Sequence, residues 1–273
     1  MIRALKYDMK AIMNTKELKC CLMILAFIAL LNTMYIFFGS EYLDYYFLKD
    51  ANYGFVFAND LKNSECVIYI FIIPLVIPLV FYRWLQYDIK MMPYIMIRND
   101  EKYYFFSKVI CLFLIGMALW FFYFSLYYLF YYCLLGINEN IVSWINIFNI
   151  YDFERIRTGI LTDLYINHIF LYNCVYVLLY SLYAGICAVL FFTLCLFIEN
   201  KYVCLLTPFA FFVLLPHILA YVFGEALYNI SVLNSLIPFS SSNSIYMIFI
   251  VFLVIILFLI VSIYIKRKGY DKK

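Results

Sequence analysis

Charge is what this sequence has least of. Only 14% of its 273 residues are Asp, Glu, Lys or Arg, whereas 67% are apolar and the mean hydropathy is +0.92. A soluble domain of this size needs a polar exterior, and so few charges do not cover one. The net charge of +3 is small and scattered, which argues against a nucleic-acid partner. No glycine-rich loop ending in Lys-Ser or Lys-Thr occurs, so ATP binding of the P-loop kind is excluded within this chain. No His-Glu-x-x-His or comparable metal cluster occurs, and no cofactor is implied. The two histidines, His168 and His217, fall in different apolar runs, where a lone His more often bonds a neighbouring helix than catalyses. The acids, Ser-Lys or Ser-His pair, or zinc site of an intramembrane protease are not legible either. The first apolar run begins at Cys20 with no small-residue cleavage site after it, which predicts a retained anchor rather than a signal peptide. The nine cysteines have no metal or redox spacing and read as small core residues, not as a disulfide framework.

What is present is a series of long apolar runs. About 20 such residues span a bilayer as a helix, and these runs are apolar on every face, unlike the alternating strands of a membrane β-barrel. The reading is an all-α integral membrane protein with six transmembrane helices, at about 20–38, 66–82, 109–135, 167–198, 203–223 and 245–265. The second carries Pro74 and Pro78 and the fifth Pro208 and Pro216, so kinks are expected there. The third and fourth exceed the membrane thickness and should tilt or project.

Basic residues set the direction. With the N-terminus inside, 16 of the 20 Lys and Arg fall on the cytoplasmic side, including the tail 266–273, and four fall outside. The acids lean the other way, 7 inside to 10 outside. Six spans keep both termini cytoplasmic and satisfy the positive-inside rule; an odd number puts the basic tail on the wrong side. The interiors of the six spans carry no Asp, Glu, Lys or Arg. Gradient-coupled transporters usually hold such a group at mid-depth, so any energy this protein uses is expected from a partner.

Between the spans, three stretches are informative. Residues 1–19 place Ile2, Leu5, Met9 and Ile12 on one helical face with Arg3, Lys6, Lys10 and Lys16 between them. This predicts an amphipathic interfacial helix, its apolar side in lipid; a solvated basic lead-in is the plainer reading. The stretch 83–108 reads as a long cytoplasmic loop in which Leu85, Ile89 and Met92 share a helical face that Pro93 interrupts. Apolar and aromatic residues beside charges suit a surface that docks on another protein; folding against headgroups is the alternative. The stretch 224–244 holds two apolar pieces broken at Asn234 and Pro238, each too short to span. They form either a re-entrant outer hairpin between spans five and six or a surface loop. In the third span, the aromatic series from Trp120 to Tyr132 reads as an interfacial belt. Its sharper alternative is an aromatic wall along a substrate path, carried by Trp120, Tyr123, Tyr127 and Tyr131.

This organisation resembles the permease subunits of bacterial ATP-binding-cassette exporters whose ATPase is a separate chain. The residues that carry the resemblance are Ala4-Leu-Lys-Tyr-Asp-Met-Lys10, Ile97-Arg-Asn-Asp-Glu-Lys-Tyr-Tyr-Phe-Phe-Ser-Lys-Val-Ile110 and the interrupted stretch 224–244. The loop 83–108 departs from the family in lacking an acidic pair at its start. The resemblance implies a multi-pass protein of the bacterial cell membrane that pairs with a second permease chain, as homo- or heterodimer. It also implies a coupling helix within 83–108 seated on the ATPase, with Asp88, Lys90, Arg98, Asp100, Glu101 and Lys102 as its polar contacts. A non-transporting immunity, sensory or scaffold subunit is the alternative, and a gradient-driven carrier or channel a third.

Overall fold

The computed structural model describes residues 2–39, 64–96, 101–135, 164, 167–198 and 200–223, and every element among them is helical. In chain order these are α1 (Ile2–Met13), α2 (Lys16–Gly39), α3 (Ser64–Met96), α4 (Glu101–Leu135) and α5 (Ile169–Cys195). They are followed by α6 (Lys201–Phe209), a π-helical turn (Ala210–Leu214) and α7 (Leu215–Phe223). Five stretches are long and apolar enough to cross a bilayer: Lys16–Met34, Phe71–Met91, Tyr104–Leu134, Ile169–Cys195 and Lys201–Ile218. The chain is therefore an all-α protein of multi-pass membrane type. The expected sixth span at 245–265, the hairpin at 224–244 and the tail at 266–273 lie outside the described residues.

Helices α4 and α5 form the spine, and they share the most extensive interface among the described elements. Small residues set their separation. A Cβ on Gly185 would come within 2.9 Å of the Phe113 carbonyl oxygen, and one on Gly116 within 3.0 Å of the Ala188 Cβ. With lipid outside, apolar burial does little to drive helices together, so close backbone approach of this kind supplies the attraction. Helix α2 packs on α4, while α3 packs on α5 and α6; α3 and α4 touch each other only sparingly.

The described parts of the stretch 83–108, residues 83–96 and 101–108, are helix rather than loop. Helix α3 is 33 residues long and α4 is 35, about 50 Å each at 1.5 Å per residue. A hydrocarbon core of about 30 Å does not contain them. Residues 83–96 continue α3 through Pro93, and 101–108 open α4; only 97–100 between them lie outside the described residues. The helical face expected at Leu85, Ile89 and Met92 is present, but it belongs to α3 itself and Pro93 does not end it.

Span five departs from regular α-helix near its prolines, whereas α3 runs through Pro74 and Pro78 as one α-helix. Pro208 lies inside α6 and the π-helical turn begins two residues later. Proline lacks the N–H that would bond the carbonyl four residues back, at Cys204 for Pro208 and at Phe212 for Pro216. A π-turn is a common way for a helix to absorb such a defect. The expectation for the cysteines needs correcting: Cys195, at the end of α5, is disulfide-bonded to Cys204 in the first turn of α6. Their separation of nine residues across a helix–helix turn is not a recognisable spacing motif.

Candidate functional site

The chemistry gathers where α1 meets α3 and α4. Thr15 starts the geometry: its hydroxyl donates to the Ile12 carbonyl at 2.7 Å and accepts from the Leu18 amide at 3.4 Å, joining α1 to α2. The turn lays α1 against α4 and α2. Ile12 is buried, Leu5 and Met9 are partly buried against the core, and Lys6 and Lys10 are exposed. The amphipathic pattern was legible, but its apolar face is spent on protein rather than on lipid alone.

Docking α1 in this way drives a carboxylate inward. Asp8 and Asp88 flank the Lys108 ammonium, which lies 2.7 Å from Asp8 Oδ1 and 2.7 Å from Asp88 Oδ1. All three are buried, at 6%, 8% and 3% exposure, so this is an interior cluster and not a surface ion pair. Ser107 donates to Asp8 Oδ2 at 3.2 Å, and the Tyr104 hydroxyl donates to Asp88 Oδ2. Lys108 also sits 4.5 Å from the centroid of the Trp84 ring and 5.3 Å from that of Tyr104. Two carboxylates and one ammonium thus tie α1, α3 and α4 together through charge-assisted hydrogen bonds. Burial raises the Asp8 carboxyl above its ordinary range, against the lowering effect of Lys108. Nearby, Arg83 on α3 pairs with Glu17 on α2 at 2.9 Å, with the arginine side chain exposed.

Of the sequence-predicted contact residues, Asp88 therefore turns inward, which its place in a supposed loop did not suggest. Lys90, two residues on and so on another face of α3, is exposed. Glu101 and Lys102 lie in the first turn of α4, although their side chains, and all of Arg98 and Asp100, are outside the described residues. Sequence reasoning missed Asp8, Tyr104 and Lys108. The available signal was a lone acid on the apolar side of α1 and a lysine opening an apolar run, each needing a partner of opposite charge.

The four aromatic residues of α4 fall on one face, at steps of three, four and four. Trp120, Tyr123, Tyr127 and Tyr131 are all buried, whereas Phe121, Phe122 and Tyr132 are exposed. The series thus presents a packed interior stripe on one side and an exposed aromatic surface on the other. Tyr123 stacks on Tyr127 with ring centroids 6.1 Å apart and donates to the Tyr69 hydroxyl at 3.2 Å. Tyr69 in turn accepts from Asn32 at 3.5 Å, linking α2, α3 and α4. The buried Trp120 indole N–H has no hydrogen-bond partner among the described residues. A cavity of about 430 Å³ lies beside this stripe, between α4 and α5, lined by Phe124, Ser125, Tyr128 and Asn173 among others. None of the four stripe residues lines it. Among the described residues no group of His, Cys, Asp and Glu could hold a metal ion. The chain matches no protein-family model, no curated protein and no solved structure.

Proposed function

We propose that this chain is the permease subunit of an ATP-binding-cassette exporter in a bacterial cell membrane, with six spans and both termini cytoplasmic. The observation that carries the reading is the helical projection made by the end of α3 and the start of α4, held to α1 by the Asp8–Lys108–Asp88 cluster. A lever must be stiff to transmit force. Residues 83–96 are one uninterrupted helical segment of about 20 Å, and the cluster fixes its base. A separate ATPase would grip the tip, with Lys90, Arg98, Asp100, Glu101 and Lys102 as the polar contact and Asp88 setting the helix from within. Closure of two ATPases would then tilt α3 and α4 together with α1, and a second permease chain would complete the pathway. Trp120, Tyr123, Tyr127 and Tyr131 would line that pathway only after α4 moves relative to α2, since they are buried in this structure. The remaining parts of this reading are a re-entrant outer hairpin at 224–244 and a sixth span at 245–265.

The test is purification of the chain from native membranes in mild detergent, with every co-purifying protein identified and counted. The expected result is a P-loop ATPase in fixed ratio, lost when Lys90, Glu101 and Lys102 are charge-reversed together. A stable complex without an ATPase, under conditions that preserve known transporter complexes, contradicts it. The dense aromatic stripe favours one second reading, a non-transporting immunity, sensory or scaffold subunit. In that case the triple reversal is mild, and substitutions in the exposed aromatic face of α4 or in the outer segments abolish function.

A further inference from the structure

We propose that Cys195 and Cys204 are a reversible thiol–disulfide pair on the cytoplasmic face, whose state sets how firmly the first half of the broken fifth span is held. Their Cα atoms are 5.9 Å apart, inside the separation of about 4.4–6.8 Å that a disulfide requires. The bridge joins the last residue of α5 to the first turn of α6. The inference rests on the orientation given above, which puts this turn in a reducing compartment. Disulfides that close in such a compartment are transient and responsive, not permanent staples.

The two sulfurs are unequal, which gives the exchange a direction. Cys204 is 2% exposed, whereas Cys195 is only partly buried. The thiolate of a small cellular thiol attacks Cys195 Sγ; the sulfur–sulfur bond breaks, and Cys204 leaves as a thiolate and takes up a proton. A second small thiol attacks the mixed disulfide on Cys195, releasing a small-molecule disulfide and the Cys195 thiol. Two small thiols are oxidised to one disulfide and the protein disulfide is reduced to two thiols; a small-molecule disulfide runs the sequence backwards.

The position of the bridge gives the exchange a consequence. With the bridge closed, α6 cannot swing from α5. With it open, the first turn of α6 is held by the Asn200 cap, whose side chain accepts from the Tyr202 amide at 3.0 Å and the Val203 amide at 3.5 Å, and by packing on α3 and α5. Pro208 and the π-turn beyond it supply a hinge.

The experiment counts thiols on the full chain in sealed membranes. Inside-out vesicles are treated with reduced or oxidised glutathione, quenched in acid, denatured and alkylated with a polyethylene-glycol maleimide. Tags are compared among the native chain, Cys195→Ser, Cys204→Ser and the double variant. The expected result is a loss of two tags after oxidised glutathione, their return after reduced glutathione, and no two-tag change in any variant. Two tags that stay blocked through reduction, or stay reactive through oxidation, overturn the proposal. So does a two-tag change that persists in Cys195→Ser, since the pairing would then be wrong. Right-side-out vesicles separate the orientation from the pairing: glutathione does not cross the membrane, so it should act only on inside-out vesicles. Exchange only from the other side overturns the cytoplasmic placement, and the topology with it, while leaving the pair itself standing.

Discussion

Two parts of this protein are held together by opposite means. The α4–α5 spine is closed by shape: Gly116, Gly185 and Ala188 let two backbones approach, and Phe113 fills against them. The junction of α1, α3 and α4 is pinned by charge, with Lys108 between two carboxylates and little other contact between α3 and α4, beside the apolar packing of Leu5, Met9 and Ile12 that docks α1. A shape-closed interface has one good arrangement and resists change. A charge-closed one is costly to break but can be rebalanced by a proton, a partner or a compensating substitution. The first suits a frame and the second suits a joint.

Breaking the joint should have the largest effect. Lys108→Met leaves two buried carboxylates facing each other, and removing one member of a buried ion pair costs about 3–5 kcal/mol. Thermal unfolding in nanodiscs should show that loss, and adding Asp8→Asn or Asp88→Asn should restore part of it. Additive losses in the double variants mean the cluster is not one unit. Tyr104→Phe removes a donor to a charged acceptor and should cost about 1–3 kcal/mol in the same assay.

The frame should answer to volume and not to charge. Gly185→Ala sets a methyl group against the Phe113 backbone, which cannot rotate away, and overpacking of this kind costs about 1–3 kcal/mol. The loss should be the same at every pH. A loss that varies with pH shows that the spine and the joint are coupled.

Acidity sharpens the contrast. The folded state holds the Asp8 proton more tightly than the unfolded chain does, because burial raises its carboxyl above the ordinary 3.8. That contribution is fully present below the ordinary value and is lost as pH rises through the raised one. The stability of the native protein relative to Asp8→Asn should therefore fall as pH rises across that window. A difference that is flat or rises contradicts the assignment. The smallest effect belongs to Arg83→Gln, which breaks an exposed pair with Glu17 and should cost about 0–1 kcal/mol, less in high salt.

These regions also differ in how far they could be read from sequence. Uniform apolarity located five long apolar helices, because a spanning helix needs about 20 such residues, but it ended the second at 82 where the apolar stretch runs to Met91. The prolines of span five marked where its π-turn lies, while those of span two left no irregularity in α3. The joint was hidden for a physical reason: Asp8 and Lys108 lie 100 positions apart, and an ion pair over that distance has no local signature. Asp88 was noticed, but its inward direction depends on α3 continuing as a helix beyond the expected span end at 82 and packing beside Lys108. The bridge between Cys195 and Cys204 was missed because the chain reverses direction between them, a property of packing and not of spacing.

The most direct measurement compares how much P-loop ATPase stays bound when the joint is opened and when the frame is strained. Lys108→Met and Gly185→Ala are purified from native membranes at temperatures set equally far below their own unfolding midpoints, alongside Lys108→Met/Asp8→Asn. A coupling role for the joint predicts that the ATPase is lost from Lys108→Met, retained by Gly185→Ala and regained when Asp8 is neutralised. Equal retention in all three, or loss from Gly185→Ala alone, contradicts it.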